Sequence, residues 1–442
     1  MPGAPLPSPA GDVPAPSFSV RQAAFIGVGA MVGAGIFALL GAAGEVAGSA
    51  VWVSFLLAGA IAGLQGYSFA KLGARYPSAG GMLEYVSRSF GEGHVAGVVA
   101  WLLLSVNAII TSMVAVSFGS YASTAVADGG AAWTKVFAVL IVLAMAILNV
   151  VGSKAVIAAQ TVIVYVVLGI LTVFAVATLS EMDTSLLAVS GYPSVTDIVA
   201  SVALTFFAFL GFGVITFTAK DLPDPSRQLP RAMYLALAIA TTIYVAVALG
   251  VFGTLTVSEV IDSGGTALAV AAQPVLGDAG YWLMTVTALF ATAGATNSGL
   301  YPATGLCEQM ATVGQFPPYL GRRLAGRAPV GIVFTAIAAI VLALGFDLTS
   351  IASIGSAIAL LVFTLVSVGH LRIRAMTRAR SSVLIVSVVA NLVVFVTFAV
   401  TTLPDEPETA VALVVILVLS VIVDAIWKRA RASRGAPLAP TW

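Results

Sequence analysis

The sequence predicts an all-α polytopic membrane protein with twelve transmembrane helices. Sixty per cent of its 442 residues are hydrophobic, only 9% are charged, and the mean hydropathy is +1.05. A water-soluble chain carries nearer a quarter charged residues, because polar groups must cover its surface. The apolar residues fall in runs of about 20, the length that crosses the hydrocarbon core of a bilayer. The 20 basic and 19 acidic residues nearly cancel, so nucleic acid is not an implied partner.

The predicted spans follow one another along almost the whole chain. They lie at 21–44, 51–72, 94–126, 133–151, 155–179, 197–219, 232–255, 279–312, 329–346, 348–371, 382–402 and 409–427. The third and the eighth are longer than a bilayer needs, which implies tilt or an extension beyond the membrane. Residues 1–20 contain six prolines and no basic residue before position 21, unlike a cleaved signal peptide. We predict a disordered cytoplasmic tail there.

The basic residues predict the orientation of these spans. Every lysine and arginine except Lys135 falls on one side of the predicted membrane: Arg21, Lys71, Arg75, Arg88, Lys154, Lys220, Arg227, Arg231, Arg322, Arg323, Arg327, Arg372, Arg374, Arg378, Arg380, Lys428, Arg429, Arg431 and Arg434. Loops on the opposite side carry acids such as Glu45, Asp128 and Asp183. Since basic loops stay inside, both termini are predicted to be cytoplasmic, in a multi-pass protein of the cell membrane.

Two of the spans carry a Gly-x-Gly near their middle. Gly33 and Gly35 lie in the first span, and Gly211 and Gly213 lie in the sixth. Glycine permits backbone conformations that interrupt a helix, and interrupted spans at matching places of two halves indicate a transport site. Exposed half-helix ends offer N–H groups to a carboxylate and carbonyls to an ammonium. This pairing suits a zwitterionic amino acid. The alternative is that the glycines only permit close helix packing.

This sequence lacks the residues that characterise other classes of membrane protein. Cys307 is the only cysteine and His94 and His370 are the only histidines, which excludes an internal disulfide and argues against a metal site. No cofactor is predicted. A membrane-embedded enzyme needs a converging set of catalytic groups, and the ionisable residues inside the spans are few and scattered. A channel is expected to show a repeated filter segment or charged rings. Neither pattern is visible, so an enzyme and a channel remain the weaker alternatives.

Four stretches, in this order, carry a resemblance to a known family. They are GAMVGAGIF (29–37), GYSFAKLGARYPSAGGMLEY (66–85), TAKDLPDPSRQLPRA (218–232) and NSGLYPATGLCEQMATVGQFPPYL (297–320). Together they resemble the amino acid–polyamine–organocation permease superfamily over residues 21–428. The resemblance implies secondary transport of amino acids or amines by alternating access, with proton symport or exchange. It leaves open whether protons are coupled to transport and whether the protein forms a homo-oligomer.

The resemblance also implies a fold of the leucine-transporter type, with a 5+5 inverted repeat and two extra helices. The transport core would comprise residues 21–374, with repeat one at about 21–179 and repeat two at about 197–371. Residues 375–428 would form the eleventh and twelfth helices. Residues 429–442 would be a basic cytoplasmic tail.

The same resemblance assigns a substrate site to the two interrupted spans. Residues assigned to it are Met31, Gly33, Ala34, Gly35, Phe207, Phe209, Leu210, Gly211 and Gly213. In related permeases the amides at positions equivalent to 33–35 hold the substrate carboxylate. The carbonyls of Met31, Phe207 and Leu210 would receive its ammonium.

Three further residues are assigned to coupling. Lys154 matches the lysine whose ammonium replaces the sodium ion of sodium-coupled relatives, and Thr292 and Thr296 lie where such relatives have hydroxyl ligands. Each has an alternative interpretation. A lysine at the end of a span can extend to the headgroups, and a threonine in a membrane helix usually bonds its own backbone.

Two departures from the family pattern bear on the substrate. Ala34 stands where many relatives have serine, so a side-chain hydroxyl contact to the substrate carboxylate is missing. Gly213 stands where arginine/agmatine antiporters have glutamate, which argues against a cationic substrate. A buried ammonium or guanidinium on the substrate side chain would then lack a partner, at a cost of several kcal/mol. We therefore predict a neutral L-amino acid, with a cationic amino acid or polyamine as the alternative.

Overall fold

The computed structural model describes residues 19–433, apart from 34, 79, 128, 152–153 and 325–327, and it leaves out the side chains of 154–161, 301, 328 and 329. Fifteen α-helices are described: α1 Val20–Val32, α2 Leu40–Ala47, α3 Val51–Arg75, α4 Met82–Phe90, α5 His94–Val126, α6 Ala131–Val151, α7 Lys154–Ser180, α8 Val195–Phe207, α9 Pro225–Thr254, α10 Val257–Ser263, α11 Ala267–Thr312, α12 Val330–Gly345, α13 Leu348–Thr377, α14 Ser381–Thr401 and α15 Pro407–Ala432.

Short elements connect these helices. There are 3-10 helices at Gly48–Ala50, Thr184–Leu187, Val189–Gly191, Leu210–Asp221, Gly264–Thr266 and Pro318–Gly321. Two-residue strands β1 (Arg323–Leu324) and β2 (Ala328–Pro329) pair antiparallel before α12. The predicted tails lie mostly outside the described residues, although α1 begins at Val20 and α15 continues to Ala432.

Nine helical segments within the described residues are long and apolar enough to cross a membrane. Val20–Val32 and Val330–Gly345 are shorter apolar helices. An apolar helix of that length can cross the hydrocarbon core, and it satisfies its backbone hydrogen bonds within itself. A chain with this many such helices is a multi-pass membrane protein.

Burial separates a central group of helices from a peripheral one. In their most apolar stretch, the segment from α8 to Asp221 is 89% buried, α13 is 78% buried and α5 is 72% buried. The corresponding value is 28% for α14 and 22% for both α6 and α15. Since apolar residues on the outside of a bundle face lipid, α6, α14 and α15 form its periphery. The segment from α8 to Asp221, α13 and α5 belong to the buried interior of the bundle.

Lys135 is the one basic residue predicted on the outer side, and it has a local partner. Its Nζ donates a hydrogen bond to the carbonyl of Leu344, at 2.8 Å. Leu344 lies at the C-terminal end of α12, where carbonyls lack an intrahelical partner and the helix dipole favours a cation. This contact explains why a lysine is present in an otherwise acidic set of loops.

The loop between the sixth and seventh spans leads directly into the N-terminus of α9. α9 begins at Pro225, directly after Asp224, and a proline at the first helical position is preorganised for the helix. The hydroxyl of Ser226 donates to the carboxylate of Asp224 at 2.5 Å. This hydrogen bond lowers the pKa of Asp224 below its ordinary value, so the carboxylate stays ionised beside Arg227. The end of this loop is therefore anchored to α9.

Candidate functional site

The first span is interrupted between Val32 and Leu40. α1 ends at Val32, Gly33 and residues 35–39 form turns, and α2 begins at Leu40. Gly33 packs against α11, because a Cβ added to it would lie 2.5 Å from the carbonyl oxygen of Ala291. The residue between Gly33 and Gly35 is Ala34, which is outside the described residues. The interruption thus lies against α11 in the middle of the bundle.

The sixth span is interrupted after Phe207. α8 ends there, and after Ala208 and Phe209 the chain continues as a 12-residue 3-10 helix, Leu210–Asp221. Runs of 3-10 helix longer than three or four residues are uncommon, and inside a helix they often mark a functional hinge. Gly211 and Gly213 lie in the first turns of this segment. The two Gly-x-Gly sequences therefore lie at or beside the two interruptions.

The two interruptions are in direct contact with each other. A Cβ added to Gly35 would overlap the side chain of Ala208 and lie 2.6 Å from its Cα. A Cβ added to Gly211 would lie 2.5 Å from the carbonyl carbon of Ala30 and 2.6 Å from the amide nitrogen of Met31. Such distances leave no room for a side chain at either position while the two interruptions are in contact. The close-packing interpretation left open by the sequence thus applies to both glycines, together with the interruptions.

Backbone groups near the interruptions are bonded within the protein. The amide of Gly35 donates to the carbonyl of Met31 at 3.0 Å. The carbonyl of Ala208 accepts from the hydroxyl of Tyr244 on α9 at 3.1 Å. A substrate ammonium that uses the carbonyl of Met31 must therefore displace or share the Gly35 amide.

Phe207 and Phe209 face different neighbours. A Cβ added to Gly355 on α13 would overlap the ring of Phe207, so Phe207 packs toward α13. The ring of Phe209 lies edge-on to that of Tyr244, with centroids 5.1 Å apart. Of the two, Phe207 lies on the α5–α13 side and Phe209 lies on the α9 side.

A small cavity of about 30 Å³ lies beside the sixth-span interruption. A buried water needs roughly 10–15 Å³ by the same measure, so the cavity holds about two. Leu210 and Gly213 line it, together with Met82, Asn107 and residues of α11 and α13. None of the described residues that line it is charged. The structure therefore brings Leu210 and Gly213 to one cavity, while Phe207, Phe209 and Gly35 lie outside its lining.

The hydroxyls of the two candidate coupling threonines bond to their own helix. Thr292 donates to the carbonyl of Ala288 at 2.6 Å, and Thr296 donates to the carbonyl of Thr292 at 2.8 Å. Both side chains are buried on α11, next to the first-span interruption. Lys154 is the first residue of α7, and its side chain lies outside the described part of the chain.

Met82 and Tyr244 are two residues at this site that sequence reasoning did not assign to it. Met82 begins the amphipathic helix α4 and reaches the cavity, and Tyr244 holds the carbonyl of Ala208. Two signals in the sequence could have indicated them: a Gly-Gly pair directly before Met82, and a tyrosine in the middle of an apolar span.

Comparison with known proteins places the chain among transporters. The family model described as an amino acid permease matches residues 18–423. The inner membrane transport protein YbaT of Escherichia coli is 31% identical over 406 residues, which cover 91% of this chain and 94% of that protein. The vacuolar cationic amino acid transporter 2 of Arabidopsis thaliana is 29% identical over 391 residues, 81% of this chain and 60% of that protein.

The methylthioribose transporter of Bacillus subtilis is 27% identical over 254 residues, 54% of this chain and 55% of that protein. All three relatives are named as transporters and none as an enzyme. The family match covers nearly the whole chain, including both interruptions and the residues that line the cavity beside the sixth-span interruption. The protein belongs to the amino acid permease family of the amino acid–polyamine–organocation superfamily.

Proposed function

We propose that this protein is a secondary active transporter that moves neutral L-amino acids across the cytoplasmic membrane by alternating access, through proton symport or exchange. The observation that carries the choice of substrate is the uncharged cavity beside Gly213. In a permease, the substrate side chain must enter a space next to the two interruptions. An uncharged space favours a substrate without a side-chain charge.

The proposed membrane topology has twelve spans with both termini in the cytoplasm. Nine apolar segments support it. The interrupted pair α1 and α2 would add the first span, α11 the eighth, and α12 the ninth. In a 5+5 inverted repeat, the interrupted first span would correspond to the interrupted sixth. The position of every basic residue except Lys135 on one side supports the orientation.

Binding would require the two interruptions to separate. The contacts of Gly35 with Ala208 and of Gly211 with Ala30 leave no room for an amino acid between them. When they part, the amides of residues 33–35 would hold the carboxylate, and the carbonyls of Phe207 and Leu210 would hold the ammonium. Closing of the same contacts would expel the substrate. This alternation is the physical basis that we propose for transport.

A cationic substrate is the second candidate, because one relative is named as a cationic amino acid transporter. The two candidates make different predictions for binding. We expect alanine, serine or leucine to raise the melting temperature of the purified protein, since a ligand that binds only the folded state stabilises it. Arginine and polyamines should have little effect. If arginine binds at least tenfold more tightly than every neutral amino acid in competition assays, the neutral assignment is wrong.

Lys154 is proposed as a built-in cation that links α7 to the first span in place of sodium. Lys154→Ala should reduce uptake into proteoliposomes by at least about tenfold while substrate affinity changes little, because position 154 is not part of the proposed pocket. Uptake by the unmodified protein should be independent of sodium. A matched control is Lys220→Ala, which removes an exposed lysine at the inner end of the sixth span. A wild-type rate and pH profile for Lys154→Ala would leave this lysine as a membrane-interface anchor only.

A further inference from the structure

The chain segment between α3 and α4 packs against the inner half of the sixth span. Gly81 has a positive φ of 54°, a conformation that glycine adopts without strain. A Cβ at this position would lie 2.7 Å from the hydroxyl oxygen of Thr216 and 3.0 Å from the ring of Phe217. A side chain would therefore separate the two segments. Glycine at 81 allows the backbone to approach the 3-10 helix and directs residue 82 toward Gly213.

The other side of this segment is held by Gln309 on α11. The amide nitrogen of Gln309 donates to the hydroxyl of Ser78 at 3.1 Å and to the carboxylate of Glu84 at 3.3 Å. Glu84 is also paired with Arg88 at 2.7 Å. A Cβ added to Gly80 would overlap the side chain of Gln309. The start of α4 is thus positioned from two sides, by the sixth span and by α11.

The side chain of Met82 occupies the space that a larger residue at 213 would fill. Met82 is 8% exposed. Its Cε lies 3.0 Å and its Sδ 3.5 Å from the position of a Cβ built on Gly213. It lines the small cavity together with Leu210, Val214 and Phe363. Because methionine is unbranched and flexible, its terminal atoms limit the free volume of the cavity.

We propose that Met82 forms the floor of the substrate side-chain pocket and determines the largest amino acid that the protein accepts. The proposal rests on the proposed function, since it assumes that a neutral amino acid binds beside Gly213. With methionine in place the cavity has about 30 Å³, so small side chains are favoured. Truncation to alanine removes Cγ, Sδ and Cε and opens room for a longer aliphatic chain.

The test compares uptake of glycine, alanine, valine, leucine and phenylalanine by proteoliposomes containing each variant. In Met82→Ala, we expect the ratio of kcat/KM for leucine to that for alanine to rise at least tenfold, mainly through KM. One additional or missing methylene group in an apolar pocket changes kcat/KM by a factor of about 10–200. Met82→Leu conserves volume and should keep the original ratio.

Met284→Ala is the matched control. Met284 is a fully buried methionine on the same helix, α11, that contributes Pro302 and Leu306 to the cavity. It lies 18 residues from Pro302 in the sequence, about 27 Å along the helix axis. Its truncation removes the same atoms from the protein interior and should leave the leucine-to-alanine ratio unchanged.

The outcomes separate this proposal from the proposed function. If the unmodified protein transports none of these amino acids, the proposed function fails. If it transports alanine and the ratio in folded Met82→Ala stays at the original value, Met82 is not the floor and the proposal is overturned. Gly213→Ala provides an independent test should Met82→Ala fail to fold. Its added methyl group meets the flexible end of Met82, so uptake of leucine should fall at least tenfold relative to glycine, and an unchanged ratio would also overturn the proposal.

Discussion

Gly35→Leu and Gly211→Leu are each expected to lower amino acid uptake at least hundredfold in a protein that still inserts and folds. At both positions the added side chain meets backbone atoms of the other interrupted span, at 2.6 Å from Ala208 Cα and 2.5 Å from the carbonyl carbon of Ala30. Backbone cannot rotate away as a side chain can. The two interruptions would then be held apart, and the closed contact between them could not form.

We expect these substitutions to lower the stability of the folded protein much less than they lower the transport rate. Overpacking of a well-packed interior costs about 1–3 kcal/mol, and each substitution adds one side chain at one contact. The measurement is uptake into proteoliposomes beside size-exclusion and thermal-unfolding profiles of the same preparations. Gly169→Leu is the control, because no atom of the described residues lies within 4 Å of a Cβ at that exposed position of α7. Normal uptake by folded Gly35→Leu or Gly211→Leu would contradict the role of that glycine in closure.

Lys428→Ala should lower the free energy of unfolding by about 3 kcal/mol, the lower end of what breaking a buried ion pair costs. The carboxylate of Asp424 is 1% exposed and lies 3.0 Å from Nζ of Lys428, whose side chain is 13% exposed. Nδ1 of His94 lies 2.6 Å from the other carboxylate oxygen. Lys428 also donates to the carbonyl of Gly93 at 2.7 Å. Removing the lysine leaves a buried carboxylate with one partner fewer.

Chemical unfolding of the purified protein in detergent measures this loss. The double variant Asp424→Asn/Lys428→Ala should recover most of it, because it removes the uncompensated charge as well. Lys220→Ala, at an exposed position, should stay within about 0.5 kcal/mol. A loss for Lys428→Ala no larger than that of Lys220→Ala would show that the pair contributes little to attaching α15 to α5.

The extents of the helices follow closely from the sequence. The predicted third span, 94–126, coincides with α5, and the predicted fourth and tenth spans begin within two residues of α6 and at the first residue of α13. Such agreement is expected because run length and hydropathy are local properties, and in lipid each helix satisfies its backbone hydrogen bonds within itself. The eighth span differs, because the sequence predicts that it begins at residue 279. In the structure the α-helix begins earlier, at Ala267, and is kinked at Gly277, whose φ is 67°.

The arrangement of the candidate site could be predicted from the sequence only in part. Glycine pairs indicated where the spans are interrupted, because glycine is the residue that tolerates such backbone. They did not indicate that Gly35 lies on Ala208 and Gly211 on Ala30. For Thr292 and Thr296, the structure shows the hydrogen bonds to their own helix that the sequence allowed as an alternative to ion binding.

The sequence by itself determined the membrane class, the positions of most of the long helices, the places where two spans are interrupted and the family. Each depends on composition or on residues close together in the chain. Only the tertiary structure decided that Phe209 packs on Tyr244, that Met82 reaches Gly213, and that Gln309 holds the segment before α4. These contacts join residues distant in sequence, and their geometry depends on the packing of whole helices. Hydropathy and motif spacing do not specify which neighbour each side of a helix meets.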